Sequence, residues 1–292
     1  MKVPEKCYSI IEKSLSENGF IGKVSKENPV HLSRHYLDTK RLKEQILLLE
    51  SFTPLEGMFL EVGSGYGGLV TYLNTLADKK LIAYGIEPSA DAYEATLSCT
   101  KILSKSNKIK SKFVAAAGEL LPFKSNIFDI VYSTSVLEHV KSPNKVISES
   151  IRVLKPGGIL QFVIPNYGSW WEGHYGLILI PHLPKNLFKI YVKLFGRDPE
   201  YIDTLKFIKK KQIERILLPF RESIEVLSWG EKIWEERVRK INFSEWASLG
   251  TLKKYVRWIH RLKLTLIVIW LGKKLHWETP FVLTLIKKQR AE

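Results

Sequence analysis

Three groups of residues in this chain have the types and spacing that chemistry needs. The first is Glu61-x-Gly63-x-Gly65-x-Gly67, with Ser64 and Tyr66 between the glycines. Glycines let a backbone approach a ligand closely because no Cβ intervenes. The second is Glu87, twenty residues past Gly67 and followed by Pro88. An acid at the end of the next strand can accept from both hydroxyls of a ribose, so the two groups together have the layout of a nucleoside-binding α/β domain. An acid two residues before the first glycine suits a ligand carrying an ammonium and repels a pyrophosphate. The third group is histidine, where His139, His174 and His182 are candidate general bases. His174 is the most suggestive, with Glu172 two residues away to orient it.

The elements that must position these residues follow from hydrophobic pattern and breakers. Residues up to about 50 read as helical and partly irregular, with a helix over 39–49 that ends at Pro54 and Gly57. Apolar runs at 58–62, 81–86, 113–116, 128–133 and 159–164 read as strands. Helices are expected at 67–76, 88–97, from 136 to 140 and over 146–154, the last stopped by Lys155-Pro156-Gly157-Gly158. Strict strand–helix alternation argues a parallel, doubly wound sheet. Beyond it, residues 166–197 are aromatic and rich in proline and glycine. Residues 201–218 read as a helix, 223–228 as a strand and 231–271 as mostly helical with a break near Leu249-Gly250. Residues 279–286 read as a closing strand.

Four motifs recur in order. They are the Glu61–Gly67 turn, Gly85-Ile86-Glu87-Pro88-Ser89, then Gly118-Glu119-Leu120-Leu121-Pro122-Phe123 followed by Leu137-Glu138-His139-Val140, and Arg152-Val153-Leu154-Lys155-Pro156-Gly157-Gly158. Together they resemble the class I S-adenosylmethionine-dependent methyltransferases, in their small-molecule, quinone-methyltransferase-like branch, over about residues 59–165. The resemblance implies a doubly wound, mostly parallel Rossmann-like sheet with a closing antiparallel strand and a helical cap insertion. It implies S-adenosylmethionine as cofactor. Glu61 and Gly63, Ser64, Gly65, Tyr66 and Gly67 would follow its methionine part, and Glu87 with Pro88 its ribose. Gly118, Glu119 and Leu120 would border the adenine, and Ser133 and Ser135 would sit near the transferring methyl. The family often has an acid just before the adenine turn, where this chain has Ala116 and Ala117. Asp129 reads as structural. Tyr167, Trp170, Trp171 and Tyr175 could wall a hydrophobic acceptor pocket.

The 292 residues allow one methyltransferase domain. Its parts would be an N-terminal helical segment (1–57), a cofactor-binding core (58–165), an aromatic lid and helix (166–222), and two last strands (223–292) around a basic insertion at about 231–276. Cys7 and Cys99 offer neither a disulfide framework nor a metal-ligand spacing, and no signal peptide is read at the start. A cytoplasmic setting follows.

The net charge is +15, with twenty basic against ten acidic residues after position 202. Between Trp246 and Trp277 there are seven basic residues and no acid. Lys253, Arg257 and Arg261 fall on one helix face, ahead of the apolar run 264–271, which is too short to span a bilayer. A basic amphipathic helix can lie in an anionic membrane surface, at the inner face. The expected activity is therefore methyl transfer to a small or lipid-linked acceptor, such as a quinone, a polyprenyl-linked sugar or a glycan precursor. RNA methylation is the alternative that the charge supports, although no RNA-binding motif is read. A non-catalytic cofactor-binding regulatory module is the third.

Overall fold

A computed structural model describes residues 1–76, 80–88, 94–110, 112–241 and 249–289. Ser89, part of the second motif, and residues 242–248, which include Trp246, lie outside the described residues. Three helices come first: α1 (Glu5–Glu17), α2 (Pro29–Tyr36) and α3 (Thr39–Glu50). Asn28 and Asp38 cap α2 and α3, each accepting from a backbone N–H two residues on. The core then alternates β1 (Gly57–Val62), α4 (Gly68–Asn74), β2 (Leu81–Glu87), α5 (Glu94–Ser106), β3 (Phe113–Ala115), β4 (Phe128–Thr134), α6 (Pro143–Val153) and β5 (Leu154–Ile164).

The lid holds a short hairpin, β6 (Trp171–Glu172) and β7 (Leu177–Ile178), followed by α7 (Lys185–Leu194) and α8 (Tyr201–Thr204). Then come α9 (Lys210–Leu217), β8 (Ile224–Ser228), α10 (Glu231–Lys240), α11 (Leu249–Arg261), α12 (Thr265–Leu275) and β9 (Phe281–Lys287).

One seven-stranded sheet has the order β3-β2-β1-β4-β5-β9-β8. Its first five strands are parallel, and β9 runs antiparallel between β5 and β8. Successive side chains of a strand point to opposite faces. Leu60, Val62 and Val131 accordingly pack with Val146, Ile147 and Ile151 of α6 and Ile213 and Leu217 of α9. Phe59, Ile130 and Tyr132 face the other way, against Ile46 and Leu49 of α3 and Leu69 and Leu73 of α4. Burial on both faces explains why these strands read as continuous apolar runs. The chain reverses its direction of travel across the sheet between β1 and β4, and ligands bind at the carboxyl ends of strands at such a switch point.

Several elements differ from the sequence reading. Pro88 is not helical, and the described part of α5 begins at Glu94 and runs to Ser106. Residues 136–140 form turns and bends, with the His139 N–H bonded to the Val136 carbonyl three residues back. The Lys155–Gly158 stretch is a bulge inside β5, because Phe128 pairs with Leu154 while Ile130 pairs with Ile159. The helix α7 lies within the aromatic segment, and the 201–218 pattern breaks into α8 and α9 with 205–209 irregular between them. Leu249-Gly250 opens α11, and a further break separates α11 from α12. Asp129 is structural as expected, accepting from the Met58 N–H and pairing with Lys155, each at 2.8 Å.

The lid has its own core. Tyr167, Tyr175, Phe188, Val192, Ile202 and Leu205 pack with Val24 of the N-terminal segment. The Asp198 N–H donates to the Lys23 carbonyl and Arg197 to the Val24 carbonyl, at 2.8 and 2.9 Å. The lid is thereby tied to the chain's beginning as well as to the sheet.

Candidate active site

The turn after β1 is built by backbone strain that only glycine relieves. Gly63 has φ +76°, and a Cβ there would stand 2.2 Å from Val136. Gly65 has φ +50° and nothing within 4 Å of its Cβ position, so its open side is where a ligand can approach. The Gly65 N–H donates to Glu87 Oε2 at 2.8 Å, which brings the end of β2 onto the turn. Burial pushes the Glu87 carboxyl up to about 7, against the pull of that N–H. Glu61 is buried, and its Oε2 has no hydrogen-bond partner. Burial, and secondarily the nearby Glu87, hold its carboxyl well above the usual range. A cationic ligand would relieve that cost.

The turn opens into a cavity of about 1170 Å³. Gly63, Ser64, Gly65, Tyr66, Glu87, Pro88, Gly118 and Glu119 all line it, as do Ile86, Ala116 and Ala117. Glu119 Oε1 accepts from the Lys141 and Ser142 N–H groups, so one of its oxygens is already engaged where an adenine contact was expected. Arg152 binds Glu149 and the carbonyls of Leu121 and Phe123, which fixes the adenine-side turn to α6.

Part of the expected site is elsewhere. Leu120 is 78% exposed, and the Cβ position of Gly67 faces Thr100 and Phe113; neither Leu120 nor Gly67 lines the cavity. Ser133 is buried, and its hydroxyl donates to the Val62 carbonyl, clamping β4 to β1. Ser135 does line the cavity, in a left-handed conformation (φ +53°) as the chain leaves β4. The aromatic wall is also corrected. Tyr167 stacks on Phe207 at 4.2 Å, and the Tyr175 hydroxyl bonds the Asp198 carbonyl. Trp171 packs with Trp234, and Trp170 meets Trp277. Tyr167 and Tyr175 belong to the lid's core, Trp170 and Trp171 pack against the part of the chain beyond it, and none of the four lines the cavity. His182 does not line it either.

His139 and His174 do come together. Their Nε2 atoms are 3.3 Å apart, and both rings line the cavity. His174 Nδ1 lies 2.7 Å from Glu172 Oε1, while Glu172 Oε2 accepts from the Tyr175 N–H at 2.7 Å. Burial would raise the Glu172 carboxyl, but the charge and hydrogen bond of His174 outweigh it and hold it low. Burial likewise works against a charged His174, and Glu172 overcomes it in turn. Desolvation, with His174 beside it, keeps His139 far below its ordinary value. Tyr201 packs against both rings.

The residues missed by sequence reasoning come from α1 to α3 and α8. Tyr36, Arg41, Gln45, Phe20 and Tyr201 line the cavity opposite the glycine turn. No local motif marks them, because their role follows from the lid and the N-terminal segment packing together. The cavity fits S-adenosylmethionine by three observations. They are a buried carboxylate at Glu61 with one oxygen unpartnered, an open Cβ position at Gly65, and an acid at the end of β2.

Comparisons with known proteins agree with this geometry. The sequence pattern of a methyltransferase domain matches residues 60–162. A stretch of 117 residues is 34% identical to an uncharacterized methyltransferase of Mycobacterium leprae, covering 40% of this chain and 39% of that protein. A stretch of 130 residues is 34% identical to a ubiquinone/menaquinone biosynthesis C-methyltransferase of Wigglesworthia glossinidia brevipalpis, covering 43% and 50%. The chain thus spans half or less of the length of these relatives. A solved structure from Methanococcus maripaludis, described as an S-adenosyl-L-methionine-dependent methyltransferase, aligns over 97% of this chain and 95% of its own. Its TM-score is 0.50 at 14% identity, a likeness of fold. Residues 60–162 therefore carry the sequence pattern of a methyltransferase domain, and the fold that holds them is that of the class I S-adenosylmethionine-dependent methyltransferases.

Proposed function

We propose that this chain moves a methyl group from S-adenosylmethionine to a small, apolar or lipid-linked acceptor. The observation that carries the reading is one continuous cavity lined both by the glycine turn with Glu87 and by the His139–His174 pair. When bound, the cofactor supplies an activated methyl on a sulfonium. Glu61 would meet its ammonium, and Glu87 its ribose hydroxyls. Holding the reactants in line can contribute on the order of 7–11 kcal/mol. His174, fixed by Glu172, and His139 would then lie beside the acceptor's nucleophilic atom. The His174→Ala variant is expected to lose turnover while keeping its cofactor affinity.

The acceptor class rests on α11 and α12. Trp258, Leu266 and Trp270 are 61%, 64% and 60% exposed, and Leu262 and Ile267 are exposed beside them. Arg257 and Arg261 are exposed on α11 and Lys263 in the turn before α12, and Lys253 is half-buried. Tryptophans and basic residues on an apolar helix face suit the surface of an anionic bilayer. Among the described residues, no helix is long and apolar enough to cross a membrane. The relative named for ubiquinone and menaquinone biosynthesis is compatible with an apolar acceptor.

The test gives methyl-labelled S-adenosylmethionine to the chain with a cell extract and partitions the label. Label in the organic phase is expected. Label released by nuclease would instead favour RNA, the reading that the net charge of +15 supports.

A further inference from the structure

Glu138, His139 and His174 come from two separate loops, the turn after β4 and the hairpin β6–β7. Each offers one ligand-capable atom, and the three atoms lie within 4.8 Å of one another. The two Nε2 atoms are 3.3 Å apart, and His139 Nε2 is 3.9 Å from Glu138 Oε1. A second observation is independent of this clustering. The Glu138 carboxylate is fully buried, and neither of its oxygens has a hydrogen-bond partner. A buried carboxylate of this kind is costly unless it is paired or coordinates a metal. A third lies behind the cluster. His174 Nδ1 is 2.7 Å from Glu172, which is itself held by the Tyr175 N–H. A carboxylate on the far nitrogen is the arrangement that fixes tautomer and ring direction in a metal-bound histidine.

We propose that Glu138, His139 and His174 hold a divalent transition-metal ion at the acceptor end of the cavity. Two imidazoles and one carboxylate suit zinc, ferrous iron or cobalt better than magnesium or calcium. Three protein ligands leave a coordination position open toward the cavity, as catalytic metal sites do. There the ion would take an oxygen of the acceptor and hold it in line with the methyl. That role rests on the methyl-transfer reading, whereas metal binding itself does not.

The test uses cobalt(II) alone with the untagged, chelator-stripped full chain, read by its visible ligand-field absorption. One saturable site per chain, displaced by zinc, is expected. Glu138→Gln and His174→Ala should each weaken cobalt binding at least about tenfold. Glu172→Gln should weaken it roughly 10–100-fold, as loss of an outer carboxylate does. A parallel titration with S-adenosylhomocysteine reports on folding, and unchanged affinity in the variants keeps the comparison valid through Glu172→Gln if Glu138→Gln fails to fold. No saturable cobalt signal, or one indifferent to all three substitutions, would overturn the proposal. Homocysteine-cofactor binding without cobalt binding sinks the metal site and leaves the methyl-transfer reading standing. Cobalt binding without cofactor binding does the reverse.

Discussion

The cofactor half of the molecule and its acceptor half are built in different ways. At the glycine turn, every proposed cofactor contact sits on or next to a strand end in the parallel part of one sheet. Glu61, Gly63, Gly65 and Glu87 are brought together by the pairing of β1 with β2, and the arrangement is closed by the Gly63 and Ser64 N–H groups on the Ile86 carbonyl and the Gly65 N–H on Glu87. The acceptor end has no such frame. His139 comes from the turn after β4, His174 from a two-residue-strand hairpin, and Tyr201 from a one-turn helix. What holds these in place is the lid's core and its attachment to Val24 and Lys23. On the proposed function, the comparison assigns cofactor recognition to the sheet and acceptor recognition to how lid and N-terminal segment meet. Damage to one should spare the other.

The sharpest way to break that separation is to hollow out the lid. Tyr167 is 2% exposed and stacked on Phe207. Tyr167→Ala should lower stability by about 3–5 kcal/mol, as truncation of large buried aromatic side chains does. Thermal and denaturant unfolding would measure it, with S-adenosylhomocysteine affinity at low temperature little changed. If affinity falls in step with stability, lid and sheet are not separable.

The converse test strikes the sheet. Glu87→Ala should cost about 1.5–3 kcal/mol of cofactor affinity, roughly 10–150-fold, since hydrogen bonds to a charged group are lost. Calorimetry should find the lid's contribution to stability intact.

A smaller effect sharpens the role of the same acid. Its carboxyl lies at about 7 in the cofactor-free chain. Ribose hydroxyls donate to the ionised form, so binding favours loss of that proton. Affinity should be full above pH 7 and weaken as pH falls through it, by about tenfold between pH 8 and pH 6. Glu87→Gln should flatten the profile. A profile that is flat in the unaltered chain would remove Glu87 from the cofactor contact.

The smallest expected change is on the outer helices. Arg257→Ala should reduce binding to phosphatidylserine-containing vesicles by about 1 kcal/mol, the usual value for one basic residue near an anionic surface. It should leave cofactor affinity untouched. Equal binding to neutral vesicles would point away from charge as the attraction.

The same division decides what the sequence discloses. The Glu61–Gly67 turn and Glu87 are legible because their function depends on local backbone geometry and one strand pairing. The sheet is legible because residues such as Phe59 and Leu60 are buried on opposite faces. His139 and His174 are 35 positions apart, and only the folded lid brings their rings to 3.3 Å. Trp171 and Tyr175 announce burial by their types but not which surface they cover: Tyr175 turns into the lid core and Trp171 against Trp234 and Val238 of α10, neither toward the cavity. Ser133 lies in the right strand, yet its hydroxyl is taken by the Val62 carbonyl. Tyr36 and Arg41 carry no motif at all, because their place in the cavity wall follows from the packing of α2 and α3 beside the glycine turn.

The most direct measurement is a crystal structure of the chain with S-adenosylhomocysteine. The account predicts the ribose on Glu87, the amino-acid part along Glu61 to Gly67, and the sulfur facing the His139–His174 end of the cavity. A ligand bound away from the glycine turn, or one whose sulfur points away from those histidines, would contradict it.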